Sequence, residues 1–382
     1  MIERLRARLS RPLHVAGALA LLWALLRGLP VPTAVGCVLG FLIGRAPLTD
    51  LWFLLTHRLT GVRLLGVTYG RGRGLWCGTV AGVPVDVRLW PTSSVTLPWA
   101  LLPSRAPRLR LWLGSTGMVL LHAGLGFWLT TSATALARGT GFGLLFSFAL
   151  FALTRGRSLI WSLWPVFVLP FVGSEALVHE LWTPHGFEAE RLLLRGRIPE
   201  ARTKLEEAPL APHEAVTAAA TALAQGRYQA AEELARAAVD HDWDNGTAHS
   251  LLGLAVVGHV DRGELSPERG AARLAPALAA FGQDDRAVLR GVLPAADLAR
   301  LTNDPEAAVH AARRLRSGFR FSLWPALAGC SLAAALIAAG RPEEARKALA
   351  RARRDCPELA RIADVERLLQ PEPKPVPEEA AR

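Results

Sequence analysis

The chain has 382 residues, of which 51% are hydrophobic, and 44 Lys and Arg outnumber 33 Asp and Glu for a formal net charge of +11. The excess is confined to one half: residues 1–182 hold 17 Arg, no Lys and 5 acidic residues, a balance of +12, while the remainder balances at −1. Arginine beside apolar stretches marks the cytoplasmic loops of a membrane protein, whereas nucleic-acid binders carry basic patches on a soluble fold, so no nucleic-acid partner is expected.

In chain order, Arg4, Arg6, Arg8 and Arg11 precede a first apolar stretch at about residues 13–28, and a second runs over 30–57. A long loop carrying Arg58, Arg63, Arg71, Arg73, Arg88, Arg105, Arg108 and Arg110 leads to stretches at 112–136 and 139–154, with only Arg138 between them. Arg155 and Arg157 close the fourth, and a shorter apolar piece follows at 160–172. The first and last are short for a full crossing. The positive-inside rule places the N-terminus, the long loop and the C-terminal half in the cytoplasm. No small-x-small site follows Leu13–Leu26, so an uncleaved anchor is expected rather than a signal peptide. Arg45-Ala46-Pro47 interrupts the second stretch, which is therefore either one kinked helix or two pieces.

Within the second stretch, Leu48–Gly61 reads LTDLWFLLTHRLTG. A glycine-punctuated run, Gly66–Gly74, and an alternating segment, Val83–Pro91, follow it. Further on come Gly117-Met118-Val119-Leu120-Leu121, Ser162-Leu163-Trp164-Pro165 and Glu175-Ala176. In order and spacing, residues 13–182 resemble the site-2-type membrane zinc protease family. That resemblance implies membrane-associated strands at Gly66–Pro91, an HExxH motif at 49–53 and a third metal ligand at 175. In HExxH, two His one turn apart ligate zinc and the Glu activates its water. Here the slots hold Thr49, Asp50, Leu51, Trp52 and Phe53, and Glu175 stands where the family has Asp. Thr49 and Phe53 cannot replace imidazole, so Thr49, Asp50, Phe53 and Glu175 are degenerate active-site positions, with no catalytic or metal-binding residue expected.

After Thr183 the sequence turns rich in Ala, Leu, Glu and Arg with helical periodicity. A phrase recurs at Gly196–Ala201, Gly226–Ala231 and Gly340–Ala345, each between two helical stretches. Glycine lets one helix end and the next turn back, and the Ala five residues later admits close packing. The pattern resembles tetratricopeptide repeats, best at 218–245 and 323–357, whereas 246–320 is helical but off-pattern. The tail from Gln370 is proline-rich and charged and is expected to be disordered.

Other candidates have plainer explanations. Asp50 lies in an apolar span, where an acid is costly and tends to be functional; otherwise it is a helix N-cap after Pro47. His57 and His122 are more simply hydrogen-bonded at an interface than ligands. His179-Glu180-Leu181-Trp182-Thr183 mimics HExxH by chance, and Pro184 separates it from His185. The Gly66–Gly74 run opens no helix and is no dinucleotide fingerprint. Trp76, Trp90, Trp99 and Trp112 fit an interfacial aromatic belt. Cys37, Cys77, Cys330 and Cys356 form no CxxC pair, so neither disulfides nor a cysteine metal site is expected.

The expected fold is a polytopic α-helical membrane protein with about four transmembrane helices and a short membrane-associated β segment, followed by an all-α helical-repeat domain. Its domains are residues 1–182, 183–369 and a tail at 370–382. Two functions follow. The first is a non-catalytic, site-2-protease-like membrane adaptor or scaffold in a bacterial cytoplasmic membrane, with both termini cytoplasmic. It needs no cofactor, binds a protein partner through the repeat domain's concave groove, and has room for a transmembrane client. The second is an active zinc metalloprotease with an unorthodox site of Asp50, His57, His122 and Glu175.

Overall fold

The computed structural model describes residues 28–45, 47–60, 62–80, 82–96, 99–101, 106–154, 183–207, 214–240, 245–279, 285–316 and 323–370. These form 15 helices and four strands in two compact units, one of residues 1–99 and 104–177, the other of residues 100–103 and 178–382.

The first unit contains α1 (Val31–Arg45), α2 (Pro47–Thr60), α3 (Pro107–Thr130) and α4 (Ala135–Thr154). The interrupted apolar stretch is thus two helices. Pro47 has no N–H to continue the ladder of α1, but its fixed φ suits the first turn of α2. Among the described residues, Arg108–Thr130 is the one stretch long and apolar enough to cross a membrane; α1 and α4 are apolar but shorter. The stretch at 13–27 and the piece at 160–172 lie outside the described residues.

Side-chain size decides how these helices pack. Gly36, Gly40 and Gly44 fall four apart on α1, and Gly139 and Gly143 four apart on α4. A Cβ on Gly36, Gly40, Gly139 or Gly143 would lie within 3.0 Å of a backbone atom of the opposite helix, so the two main chains touch directly. Gly141, on another face of α4, meets α3 in the same way at the Gly126 carbonyl and the Thr130 amide. Such contacts maximise dispersion and are how helices associate where no water drives them together. Polarity is reversed on the outside: among the described residues, every exposed large apolar side chain except Leu368 lies between Leu29 and Phe142, including Leu113, Leu120, Phe127 and Trp128 of α3.

Four strands link α2 to α3: β1 (Val62–Leu64), β2 (Val67–Val80), β3 (Val83–Thr96) and β4 (Trp99–Leu101). The short strands expected at Gly66–Pro91 are instead a hairpin of two strands of 14 residues each, pairing Trp76 with Val87 and Gly78 with Val85. Gly82, with φ of 82°, provides the left-handed residue of its turn. Arg88 and Asp86, two apart and therefore on one face, form a buried ion pair at 2.9 Å.

The second unit is five helix pairs: α5 (Pro184–Leu194) with α6 (Ile198–Glu206), α7 (Ala215–Ala224) with α8 (Tyr228–Asp240), α9 (Asn245–Asp261) with α10 (Pro267–Ala279), α11 (Asp285–Leu301) with α12 (Pro305–Arg316), and α13 (Leu323–Ala338) with α14 (Pro342–Asp355). One device turns each pair. At Gly196, Gly226, Gly263, Asn303 and Gly340 the backbone takes φ of 64–78°, its N–H bonds three residues back, and the next N–H bonds five residues back. This is the Schellman turn, which satisfies the last helical carbonyls. The stretch at 246–320, off-pattern in sequence, carries the same turn at Gly263 and Asn303. Asn303 substitutes for glycine because its short polar side chain tolerates the left-handed region. Ala201, Ala231, Ala308 and Ala345, five residues after their turns, are completely buried.

The first helices of the pairs contact one another in sequence, and α13 returns to touch α5, so the array closes into a ring. All described residues of α13 from Leu323 to Leu336 are buried, whereas α14 buries only Ala345, Ala348, Leu349 and Ala352 along one stripe. The inner helix α13 is therefore apolar all round, while its outer partner α14 is amphipathic. A last helix, α15 (Arg361–Arg367), lies across the end of the ring where the turns gather; Ala360 N–H bonds the Ala224 carbonyl at 2.9 Å. The open concave groove expected from the sequence is closed at this end by the chain's own C-terminal segment.

Replacing Gly40 by Ile should force α1 and α4 apart and cost about 1–3 kcal/mol. Gly124, whose missing Cβ faces open space, should accept Ala with unchanged or slightly raised stability. Melting of the purified protein checks both.

Candidate functional site

Three of the four degenerate positions fall on α2, which packs against α3. Thr49, Asp50 and Phe53 lie on this helix; their side chains, that of His57, and Glu175 lie outside the described residues. The described neighbour is Trp52, the fourth position of the HExxH slots. Its indole N–H donates to the Gly114 carbonyl at 2.8 Å, and a Cβ on Gly117 would collide with its ring. Two glycines of α3 therefore receive one large side chain of α2. The sequence singled out Gly117 and Trp52 separately, and the fold brings them together.

His122 sits one turn further along α3, 2% exposed. Its Nε2 faces the Gly44 carbonyl at 3.0 Å and its Nδ1 the Met118 carbonyl at 3.3 Å. Carbonyls only accept, so a neutral ring donates to one of them, and the shorter contact is to Gly44. That carbonyl belongs to the last turn of α1, where no helical N–H follows. His122 thus caps the break before α2. Ser147 stands beside Gly44, and its hydroxyl, like that of Ser115, is buried without a hydrogen bond among the described residues. Among those residues no group of three His, Cys, Asp or Glu side chains stands close enough to share a metal ion. His185, paired with the HExxH mimic in sequence, instead bonds Glu207 at 2.9 Å on the surface of the second unit.

A second concentration of chemistry went unread in the sequence: the end of the ring. Arg361, 1% exposed, donates Nε to Asp261 at 3.0 Å, Nη1 to Ser331 at 2.8 Å and Nη2 to Asp297 at 2.9 Å, on α9, α13 and α11 respectively. Ser331 in turn donates to Asp297 at 2.7 Å, and Arg300 to Asp261 at 2.6 Å. Burial disfavours the Arg361 charge, but Asp297 and Asp261 outweigh it and hold the guanidinium firmly ionised. One turn on, Asp364 accepts from the Tyr228 hydroxyl, and from Arg262 at 3.3 Å. Arg262 also stacks over the Tyr228 ring at 4.4 Å. The only sequence signal was charged residues at the ends of otherwise apolar helices. Their partners are up to 136 positions away.

Buried nearby, the Cys330 thiol is pushed up to about 12 and Cys356 to about 11, both chiefly by burial, and burial also raises Tyr228. No family model matches this chain, nor does any curated protein or solved structure at the level of similarity sought.

Trp52→Phe should cost about 1 kcal/mol for the lost bond to Gly114, and Trp52→Ala about 3 kcal/mol for the vacated volume; melting with tryptophan fluorescence reads both. Because the Cys330 and Cys356 thiols hold their protons more tightly when folded, their contribution to stability is complete below the unfolded value near 9.0 and is lost as pH rises toward 11–12. The melting temperature of the second unit should therefore be level from pH 7 to about 8.5 and fall above 9, with a smaller alkaline drop in Cys330→Ala.

Proposed function

We propose that this protein is a non-catalytic membrane adaptor: a site-2-protease-like anchor, without its zinc-binding histidines, joined to a cytoplasmic tetratricopeptide-repeat-like domain that binds another protein. The observation that carries the reading is the pair of surfaces. Nearly all exposed large apolar side chains cover the first unit, while the outer helices of the second are charged and amphipathic. An apolar exterior over a glycine-packed helix contact suits lipid, and a charged exterior suits water. The bilayer in question is a bacterial cytoplasmic membrane crossed several times, with both termini cytoplasmic, as the arginine distribution implies.

The anchor's chemistry points the same way. Thr49 and Phe53 offer no imidazole, and between them Trp52 packs into α3 against Gly114 and Gly117. A nearby indole also leaves less space for a hydrated metal, while the helices still present a face to a transmembrane client. In this reading no cofactor is used.

Elemental analysis of the detergent-purified, dialysed protein tests it. The expected result is zinc far below one per chain, unchanged in Asp50→Ala and Glu175→Ala. Near-stoichiometric zinc that either substitution removes would overturn the adaptor reading in favour of an unorthodox metalloprotease.

A further inference from the structure

The contacts of α15 with the ring have the character of recognition rather than of packing alone. Each nitrogen of the Arg361 guanidinium meets an acceptor on a different helix of the ring. Arg361 and Asp364 are three apart on one face of α15, so a single short helix presents both. The cation lies near the C-terminal ends of α9 and α11, where the helix dipoles favour it. With Arg361 withdrawn, Asp261 and Asp297 would share only Arg300, leaving a buried net negative site shaped for a planar fork. Lysine has three donors too, but they radiate from one nitrogen and do not match the spread of a planar fork. Three residues on, the Tyr228 hydroxyl and Arg262 form the complementary subsite for a carboxylate. A buried ion pair adds little stability over apolar packing, and the best-attested use of such charges is to fix register or build a switch.

We propose that the end of the ring is a receptor site for a helical segment bearing Arg and, three residues later, an acidic side chain, and that α15 occupies it in cis as a displaceable plug. The ligand class is an Arg-x-x-Asp helix with apolar residues beside it, as Leu359, Ile362 and Val365 flank the pair here. This deepens the adaptor reading and rests on it for what the partner does: the protein partner supplies the same pair in trans and enters when α15 leaves.

The probe is a fluorescent synthetic peptide of residues 356–370, read by anisotropy against the full-length protein in detergent. It should bind an Arg361→Ala/Asp364→Ala chain about tenfold or more tightly than the wild-type chain, whose own segment excludes it. Changing Arg361 to Lys in the peptide, or Asp297 to Asn in the chain, should weaken that binding about tenfold. Absence of binding to a double variant with native helicity overturns the proposal. A control independent of that variant's folding uses the otherwise wild-type chain in a Cys37→Ala/Cys77→Ser background. Alkylation of Cys330 and Cys356 should proceed through local opening, at a rate insensitive to low denaturant. A rate that tracks global unfolding would make α15 a fixed part of the core and overturn the proposal. If only the adaptor reading fails, peptide exchange persists and no natural partner enters.

Discussion

The main chains of α1 and α4 touch, and the first unit is arranged around that contact. Four glycines remove the side chains that would hold the helices apart, so the packing is carried by backbone atoms and tolerates no added methyl group. Because α4 is pinned to α1 on one face and to α3 at Gly141 on another, α3 must run beside the end of α1. His122 then reaches the Gly44 carbonyl at the break before α2. Pro47 sets the break, and the close approach of these helices brings its cap, His122, to it.

The second unit solves a different problem. Five pairs turned by one backbone device leave an apolar inner surface, complete around α13, and this must be enclosed. Return of α13 to α5 encloses them laterally, and α15 covers the end. Covering an end where helices finish means covering the charged residues Asp261 and Asp297. Arg361 answers them, donating to both carboxylates and compensating their charge near the negative ends of the helix dipoles. Asp297 and Asp261 would be costly to bury alone, so the ring and α15 are coupled: neither is comfortable without the other or a substitute of the same chemistry.

The two units place the same amino acids on opposite sides. Among the described residues, Leu and Val are exposed across the first unit and buried inside the second. Composition sees both as apolar helices: Leu323–Ala338 is an apolar helix of the kind found at Val31–Gly44. What separates them is the neighbour. An apolar helix followed at a Schellman turn by an amphipathic one can be buried by its partner, whereas α3 keeps Leu113, Leu120 and Phe127 exposed.

Local chemistry was legible in the sequence wherever it is set by neighbours in the chain. The Gly-Arg phrases located three of the five turns because a left-handed residue must follow the helix; Gly263 and Asn303 escaped only because the surrounding wording differs. Pro47 announced the break in the apolar stretch, and the histidines missing from residues 49–53 were plain without coordinates. Glycines four apart on two helices were also visible, but they acquire meaning only when those helices lie face to face. The closure of the ring, the plug at its end and the Arg361 network belong to the tertiary structure alone. They join side chains 30 to 136 positions apart, and no local periodicity encodes which carboxylate a buried guanidinium will find.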